Sequence, residues 1–222
     1  MGFLLMLMTI GGLLVAPILL LISLLTRKWW LAKFTFASVV IWFEFYAAML
    51  LGFSLLSNEK ILAVNEPKPY CGFYFDCHLH AVVTKVETAD HSFQHKAKGK
   101  YYGVVVKVFS DARNPDIRFH LHDPEMVIID SEGNRFERSE RVEDDLYSQP
   151  VWLGADLNGN RPLEKELVFD IPATSTGLKM EITEGHPVEQ FIEYFLIGDE
   201  DSVWHKHSYF DIPEQKETAG VK

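Results

Sequence analysis

Three pairs of histidines stand two residues apart in the sequence, a spacing that can bind a metal ion. They are His78 and His80 in CHLH, His120 and His122 in FHLH, and His205 and His207 in WHKH. Alternate residues of a β-strand point to the same side, so each pair could present two imidazoles to one zinc or copper ion. A complete site needs three or four ligands, so two pairs would have to converge.

The apolar residues between these histidines favour another interpretation. Ile117, Phe119 and Leu121 alternate with Arg118, His120 and His122, which predicts a strand whose apolar side faces inward and whose histidines face water. The same alternation runs through WHKHS. We therefore expect solvated strand histidines, with no cofactor and no single metal centre. The CHLH pair, next to a cysteine, is the strongest of the metal candidates.

The sequence contains no pattern typical of a nucleophilic or phosphate-transferring enzyme. It has neither a Gly-x-Ser-x-Gly elbow nor a glycine-rich phosphate loop. Glu143, Asp144 and Asp145 form an acidic cluster, which we interpret as part of a solvated charged loop. We therefore predict that the protein is not an enzyme.

Two apolar runs occupy the beginning of the chain. Phe3–Leu25 and Phe34–Leu56 each contain 23 residues. At about 1.5 Å of rise per residue, a helix of that length crosses a hydrocarbon core of about 30 Å. We therefore predict an integral, multi-pass membrane protein with two transmembrane helices, and the lipid bilayer as its first partner.

The basic residues of the connecting loop predict the orientation. Arg27, Lys28 and Lys33 all lie between the two runs, which places this loop in the cytoplasm. Both termini and the rest of the chain are then extracytoplasmic, and we expect the bacterial inner membrane as the location. In that oxidising compartment, Cys71 and Cys77 can form a disulfide; in a reducing compartment they would be two free thiols.

Glu44 lies near the middle of the second run. An ionisable side chain inside a span is costly and marks a candidate functional position. It could pair with Thr9 or Ser23 of the first run, pair with a helix of a partner, or stay protonated among aromatic residues. These alternatives remain open at this point.

The remainder of the chain is strongly acidic. The whole chain has 21 basic and 31 acidic side chains, of which three basic and one acidic lie in residues 1–57, so residues 58–222 carry a formal charge of −12. A domain of this charge repels nucleic acid and anionic lipid. We therefore expect neither as a partner.

Alternating apolar residues after residue 78 predict short β-strands. They run through KYYGVVVKVFS, through Leu163–Ile171, where Lys165 shares the mostly apolar face, and through GLKMEIT. A turn-rich centre at 130–134 predicts a hairpin. The expected organisation is two transmembrane helices within 1–57, a stalk at 58–77, an antiparallel β-sandwich at 78–212 and a disordered tail at 213–222.

Three motifs carry a resemblance to a known family, namely GKYYGVVVKV, DSEGNRFER and LVFDIP. In this order, within residues 78–212, they resemble the telokin-like, immunoglobulin-like β-sandwich of uncharacterised bacterial membrane-anchored proteins and lipoproteins. The resemblance implies an immunoglobulin-like fold and transfers no catalytic residue. Since a fold does not fix a function, it leaves the activity open.

These observations together predict a non-enzymatic function. We expect a membrane-anchored extracytoplasmic interaction or envelope-structural module whose partner is a membrane or envelope protein. The alternative is an extracytoplasmic zinc- or copper-binding protein that uses the His-x-His pairs.

Overall fold

The computed structural model describes residues 2–71, 77–91, 96–114, 116–146, 153–157, 161–184 and 187–213. In chain order its elements are α1 (Gly2–Leu25), α2 (Trp29–Leu56), β1 (Lys60–Leu62), β2 (Lys68–Tyr70), β3 (Leu79–His91), β4 (Lys96–Ser110), β5 (Glu125–Ile129), β6 (Arg135–Glu137), α3 (Glu140–Leu146), β7 (Leu163–Ile171), β8 (Lys179–Thr183), α4 (Pro187–Glu193) and β9 (Ser208–Asp211).

The chain divides into two compact units. The helical unit contains residues 1–59 and 187–207, and the sandwich unit contains residues 60–186 and 208–222. The chain therefore passes from the helical unit to the sandwich, returns to the helical unit, and ends in the sandwich. This differs from the expected boundaries, which placed residues 187–207 within the sandwich.

The helical unit is built on the two predicted apolar helices. Both are long and apolar enough to cross a membrane by length and composition. α2 begins at Trp29, five residues before the predicted run, because Lys33 interrupts an apolar run but favours helix. Trp42 Nε1 donates a hydrogen bond of 2.9 Å to Thr9 Oγ1, which links α2 to α1.

We call residues 187–207 the return segment. It consists of α4 followed by a series of turns, and it packs against the helices. Its Ile197 is buried in a small cluster with Tyr46 and Leu50 of α2. Residues this far apart in sequence give no local pattern, so the sequence did not predict this packing.

The sandwich unit has two sheets. One has five strands in the order β1-β9-β8-β5-β6, and the other has four in the order β2-β3-β4-β7. The described pairings are antiparallel except for β1 with β9. The predicted β-sandwich is therefore confirmed. β1 and β2 lie in the expected stalk, so this stretch contributes one strand to each sheet.

The core of the sandwich consists of the apolar residues whose alternation predicted the strands. Val104, Val106 and Val108 of β4 are fully buried, as are Met180 and Ile182 of β8. Each aliphatic side chain buried in this way stabilises the fold by about 1.5–3 kcal/mol. This core holds the strand ends that carry the candidate site.

The predicted hairpin connects β5 to β6. Asp130 Oδ1 accepts hydrogen bonds from the backbone N–H groups of Glu132 and Asn134, each 2.9 Å long. Gly133 has a φ of 84°, a conformation that glycine adopts without strain. Hydrogen bonding from the Asn134 side chain lowers the pKa of Asp130.

Candidate functional site

One carboxylate lies between the two histidines of CHLH. His80 is on β3, His78 directly precedes that strand, and Asp111 directly follows β4. β3 pairs with β4 so that Leu79 is opposite Ser110, which brings these residues to one end of the sheet. His78 Nδ1 lies 2.6 Å from Asp111 Oδ1, and the Asp111 backbone N–H donates to the His78 carbonyl at 3.0 Å.

The second imidazole of this cluster is largely buried. His80 Nε2 is 3.3 Å from Asp111 Oδ2, close enough for a charge interaction. The geometry is not that of a hydrogen bond, however, so both ring nitrogens of His80 are buried without a hydrogen-bond partner in the described part of the chain. The ring stacks on Phe109 with centroids 5.2 Å apart. We therefore regard His80 as held chiefly by packing.

The neighbouring histidines lower the pKa of Asp111. The hydrogen bond with His78 is the largest cause that holds the pKa of Asp111 below its usual 3.8, and the contacts with His80 act in the same direction. The described residues contain no group of three or more His, Cys, Asp or Glu that could hold a metal ion. The contacts of Asp111 with the two histidines therefore join the end of β4 to the start of β3. Metal binding by the histidine pairs stays a prediction.

The pair in FHLH has a carboxylate of its own. His120 Nδ1 lies 3.0 Å from Asp156 Oδ1, and the rings of His120 and His122 are 4.2 Å apart. The phenyl ring of Phe119 meets the His78 ring edge-on at 6.4 Å. The first two histidine pairs are therefore neighbours, although each has its own aspartate.

The strand predicted around His120 is not formed. The described residues from 116 to 124 have turns and irregular backbone, and the Phe119 carbonyl accepts a hydrogen bond from Leu157 N. Leu121 is nevertheless fully buried, and Phe119 packs against the core. The alternation correctly predicted that Phe119 and Leu121 face inward, but Ile117, expected on the same face, is exposed. The backbone pairs with a loop instead of a strand.

The third pair lies in the other unit. His205 and His207 belong to the return segment, before β9 begins at Ser208. His205 N donates to the Ser202 carbonyl at 3.0 Å within a turn, so the strand predicted through WHKHS is not formed before Ser208. Trp204, expected on the inward side, is exposed. Only the first two pairs are therefore part of the sandwich unit.

The cysteines flank the connection between β2 and β3. The sulfurs of Cys71 and Cys77 are 2.07 Å apart, which is disulfide distance. The residues between them, 72–76, lie outside the described residues. The pair therefore closes this connection where the chain enters β3.

Glu44 is exposed on α2. Thr9, one expected partner, instead accepts from Trp42 and donates to the Leu5 carbonyl. Ser23, the other, is buried with no hydrogen bond from its hydroxyl to the described residues. In the described part of the chain, no hydrogen bond or ion pair involving the Glu44 carboxyl is found, so it is available on the outer surface of the helix pair.

The interpretation of the acidic cluster as a solvated loop is wrong for Glu143. This residue lies on α3 and is only 3% exposed. Its Oε2 is 2.8 Å from Lys165 Nζ, and its Oε1 accepts a hydrogen bond of 3.2 Å from Val168 N. The signal was Lys165 on an otherwise apolar strand face, because a buried cation requires a partner.

Comparisons with known proteins identify similar structures but no family. No protein-family model matches the chain, and no curated protein matches it in sequence. The chain is similar to a conserved hypothetical protein from Bacillus anthracis, with 12% identity over 55% of this chain and 89% of that one, and a TM-score of 0.41.

Two further structures are similar at the same level. A secreted protein from Mycobacterium tuberculosis is 11% identical over 58% of this chain and 98% of its own, with a TM-score of 0.39. An uncharacterised β-sandwich protein from Clostridium difficile is 7% identical over 71% of this chain and 96% of its own, with a TM-score of 0.41.

Proposed function

We propose that this protein is a non-enzymatic, membrane-anchored interaction module. In this proposal α1 and α2 span the bacterial inner membrane, and the sandwich, with an immunoglobulin-like (telokin-like) fold, functions in the extracytoplasmic space. Three basic residues in and near the short loop between the helices support this orientation, because such residues favour the cytoplasmic side. A cysteine pair at disulfide distance is typical of an oxidising compartment.

The observation that carries the proposal is the exposed carboxyl of Glu44. It lies 15 residues into a 28-residue helix, near the middle of the proposed span. The neighbouring side chains of Phe43 and Phe45 are exposed as well. Hydrocarbon offers no hydrogen bond to a carboxyl, so such a group is stable there when another helix supplies a donor. We infer that a membrane-protein partner binds this surface of α2.

Co-purification of the full chain from native membranes in a mild detergent tests this proposal. Glu44→Leu removes the carboxyl, and Phe53→Leu is the matched control. Phe53 is also exposed on α2, but it lies nine residues later and therefore on the opposite side of the helix. A hydrogen bond to a charged group contributes about 1.5–3 kcal/mol, so recovery of the partner should fall about tenfold or more with Glu44→Leu. The control should keep the recovery of the wild-type chain.

Two results would contradict the proposal. One is the absence of any stoichiometric membrane protein from the wild-type preparation. The other is a partner that is recovered equally with Glu44→Leu and Phe53→Leu, because the carboxyl would then have no part in the interaction.

A further inference from the structure

The return segment exposes four aromatic side chains. Phe191 and Trp204 are 68% and 67% exposed, and Tyr194 and Phe195 are exposed as well. Exposed aromatic residues this close together mark a surface that binds something. Tryptophan and tyrosine are enriched where a membrane meets water, because each ring is apolar and carries one polar group.

Two side-chain hydrogen bonds attach the return segment to α2. The Tyr46 hydroxyl donates to the Phe195 carbonyl at 2.6 Å, and the hydroxyls of Ser54 and Ser202 lie 3.2 Å apart. Tyr46 and Ser54 are eight residues apart, which is about 12 Å along a helix. The segment therefore lies beside the last part of α2.

The position of these contacts along α2 indicates a depth in the bilayer. From Lys33, at the proposed cytoplasmic boundary, 21 residues lead to Ser54, about 31 Å along the axis. This matches a hydrocarbon core of about 30 Å, so Ser54 lies at the outer boundary. Tyr46 precedes Ser54 by about 12 Å along the helix axis, which places its contact with Phe195 about 12 Å inside that boundary.

The backbone of the return segment is suited to a site with little water. The N–H groups of Tyr194 and Leu196 donate to carbonyls one turn earlier, and that of Val203 donates to the Tyr194 carbonyl at 3.0 Å. The Phe195 carbonyl accepts the Tyr46 hydroxyl. Near lipid, each unpaired backbone group would cost several kcal/mol, and these groups are paired.

The charges of the segment indicate which lipid surface it fits. It contains five acidic residues and one lysine, so anionic head groups would repel it. Asp199, Glu200 and Asp201 adjoin Ser202, whose contact with Ser54 lies at the outer boundary. Trp204 also has a φ of 60°, an uncommon backbone conformation for a residue of this size. A neutral, zwitterionic lipid surface therefore suits these acidic residues and the exposed aromatic rings best.

We propose that the return segment is a membrane-interface anchor whose four exposed aromatic side chains insert into the outer leaflet. Trp204 lies at the boundary between head groups and acyl chains, and Phe191, Tyr194 and Phe195 lie among the acyl chains below it. This inference rests on the proposed function, since α1 and α2 must span the bilayer for the segment to reach that depth. The partner surface is zwitterionic lipid, and it binds the segment through the aromatic rings.

Depth-dependent quenching of tryptophan fluorescence tests the proposal on the full chain. Phosphatidylcholine vesicles are prepared with bromine either near the head of the acyl chain or near its end. The first protein keeps Trp204 as its only tryptophan, with Trp29→Phe, Trp30→Phe, Trp42→Phe and Trp152→Phe. The second keeps only Trp42, in the middle of the proposed span. The third has no native tryptophan and carries Phe191→Trp.

We expect Trp204 to lose about half or more of its emission with the shallow bromine and clearly less with the deep bromine. The Phe191→Trp protein, whose ring contacts Phe195 deeper in the leaflet, should be quenched at both depths. Trp42 should respond more strongly to the deep bromine. Ile117→Trp, at an exposed aliphatic position of the sandwich, is the matched control in the background without native tryptophan. Its emission should fall with aqueous iodide.

The outcomes separate this inference from the proposed function. If Trp42 is quenched while Trp204 and the Phe191→Trp protein are not, the helices span the bilayer and the interface anchor is wrong. If Trp42 is not quenched at either depth, the proposed span fails and the anchor fails with it.

Discussion

The contacts of Asp111 with His78 and His80 make its contribution to stability depend on pH. Because the folded-state pKa of Asp111 is lowered, its contacts stabilise the fold above the usual pKa of 3.8, and this contribution is lost as the pH falls through the lowered value. We expect His78→Ala to raise the pKa of Asp111 toward 3.8. The measurement is the carboxyl carbon shift in an NMR titration of the full chain in micelles.

His122→Ala is the control for this titration. His122 packs against His120 and is not among the groups that lower the pKa of Asp111. An Asp111 pKa that is the same in the wild-type protein and in His78→Ala would contradict the assigned cause.

The three histidine pairs make a second prediction at the level of residues. His78 and His120 each contact a different aspartate, and His205 belongs to the other unit. We therefore expect zinc and copper to bind the full chain weakly and at several sites. In a calorimetric titration, replacing both histidines of any one pair by alanine should leave most of this binding.

A single tight site would overturn that expectation. Submicromolar, one-to-one binding that disappears when His78 and His80 are both replaced by alanine would establish a metal centre. It would also make the metal-binding alternative the better description of the protein.

At the level of elements, the ion pair between α3 and β7 is the clearest target for mutation. Glu143→Ala leaves the Lys165 ammonium buried without this carboxylate, and it removes the acceptor of Val168 N. Breaking a buried pair in this way typically costs about 3–5 kcal/mol. We expect a loss of that size in the free energy of unfolding, measured by urea denaturation of the full chain in micelles.

Glu140→Ala is the matched control on the same helix. The Glu140 carboxylate contacts Arg138 at 2.8 Å, but its side chain is 71% exposed. Exposed pairs contribute about 0–1 kcal/mol. Equal losses for the two variants would show that burial of Glu143 does not contribute to stability.

Most elements could be predicted from local sequence, and the exceptions have physical causes. β7 covers the predicted Leu163–Ile171, because one strand face packs into the core along its whole length. The stretch around Phe119 has the same alternation but pairs with a loop. Alternation reports which side chains are buried, whereas strand formation also requires a neighbouring strand at that position. The histidines of FHLH were therefore placed on the wrong kind of backbone.

At the level of the whole molecule, the proposed topology makes a prediction about labelling. In intact cells, Thr26→Cys, which keeps all three basic residues, should resist an impermeant maleimide, because the loop between α1 and α2 would be cytoplasmic. After the membrane is opened, it should react. Cys71 and Cys77 are at disulfide distance and should not contribute to the signal.

Ile117→Cys, on the exposed surface of the sandwich, is the control and should react in intact cells. Reaction of Thr26→Cys from outside, with protection at Ile117→Cys, would show the opposite topology.

The arrangement of the whole chain was the least predictable level. The contact between Tyr46 and Phe195 joins residues 149 positions apart. Neither the apolar run around Tyr46 nor the short helix before Phe195 indicates the other. The sequence therefore predicted two apolar helices and a sandwich, but it did not predict that a piece of the later chain packs on the helices.

The return of residues 187–207 to the helices affects how the protein would respond to a protease. A cut between Glu59 and Lys60 divides the chain into a helical fragment and a fragment that carries both the sandwich and the return segment. Because Ile197 is buried against Tyr46 and Leu50, the two fragments still share packed surface after the peptide bond is lost. Cleavage at this bond alone should therefore leave the sandwich attached to the helices, and its release requires that this packing also come apart.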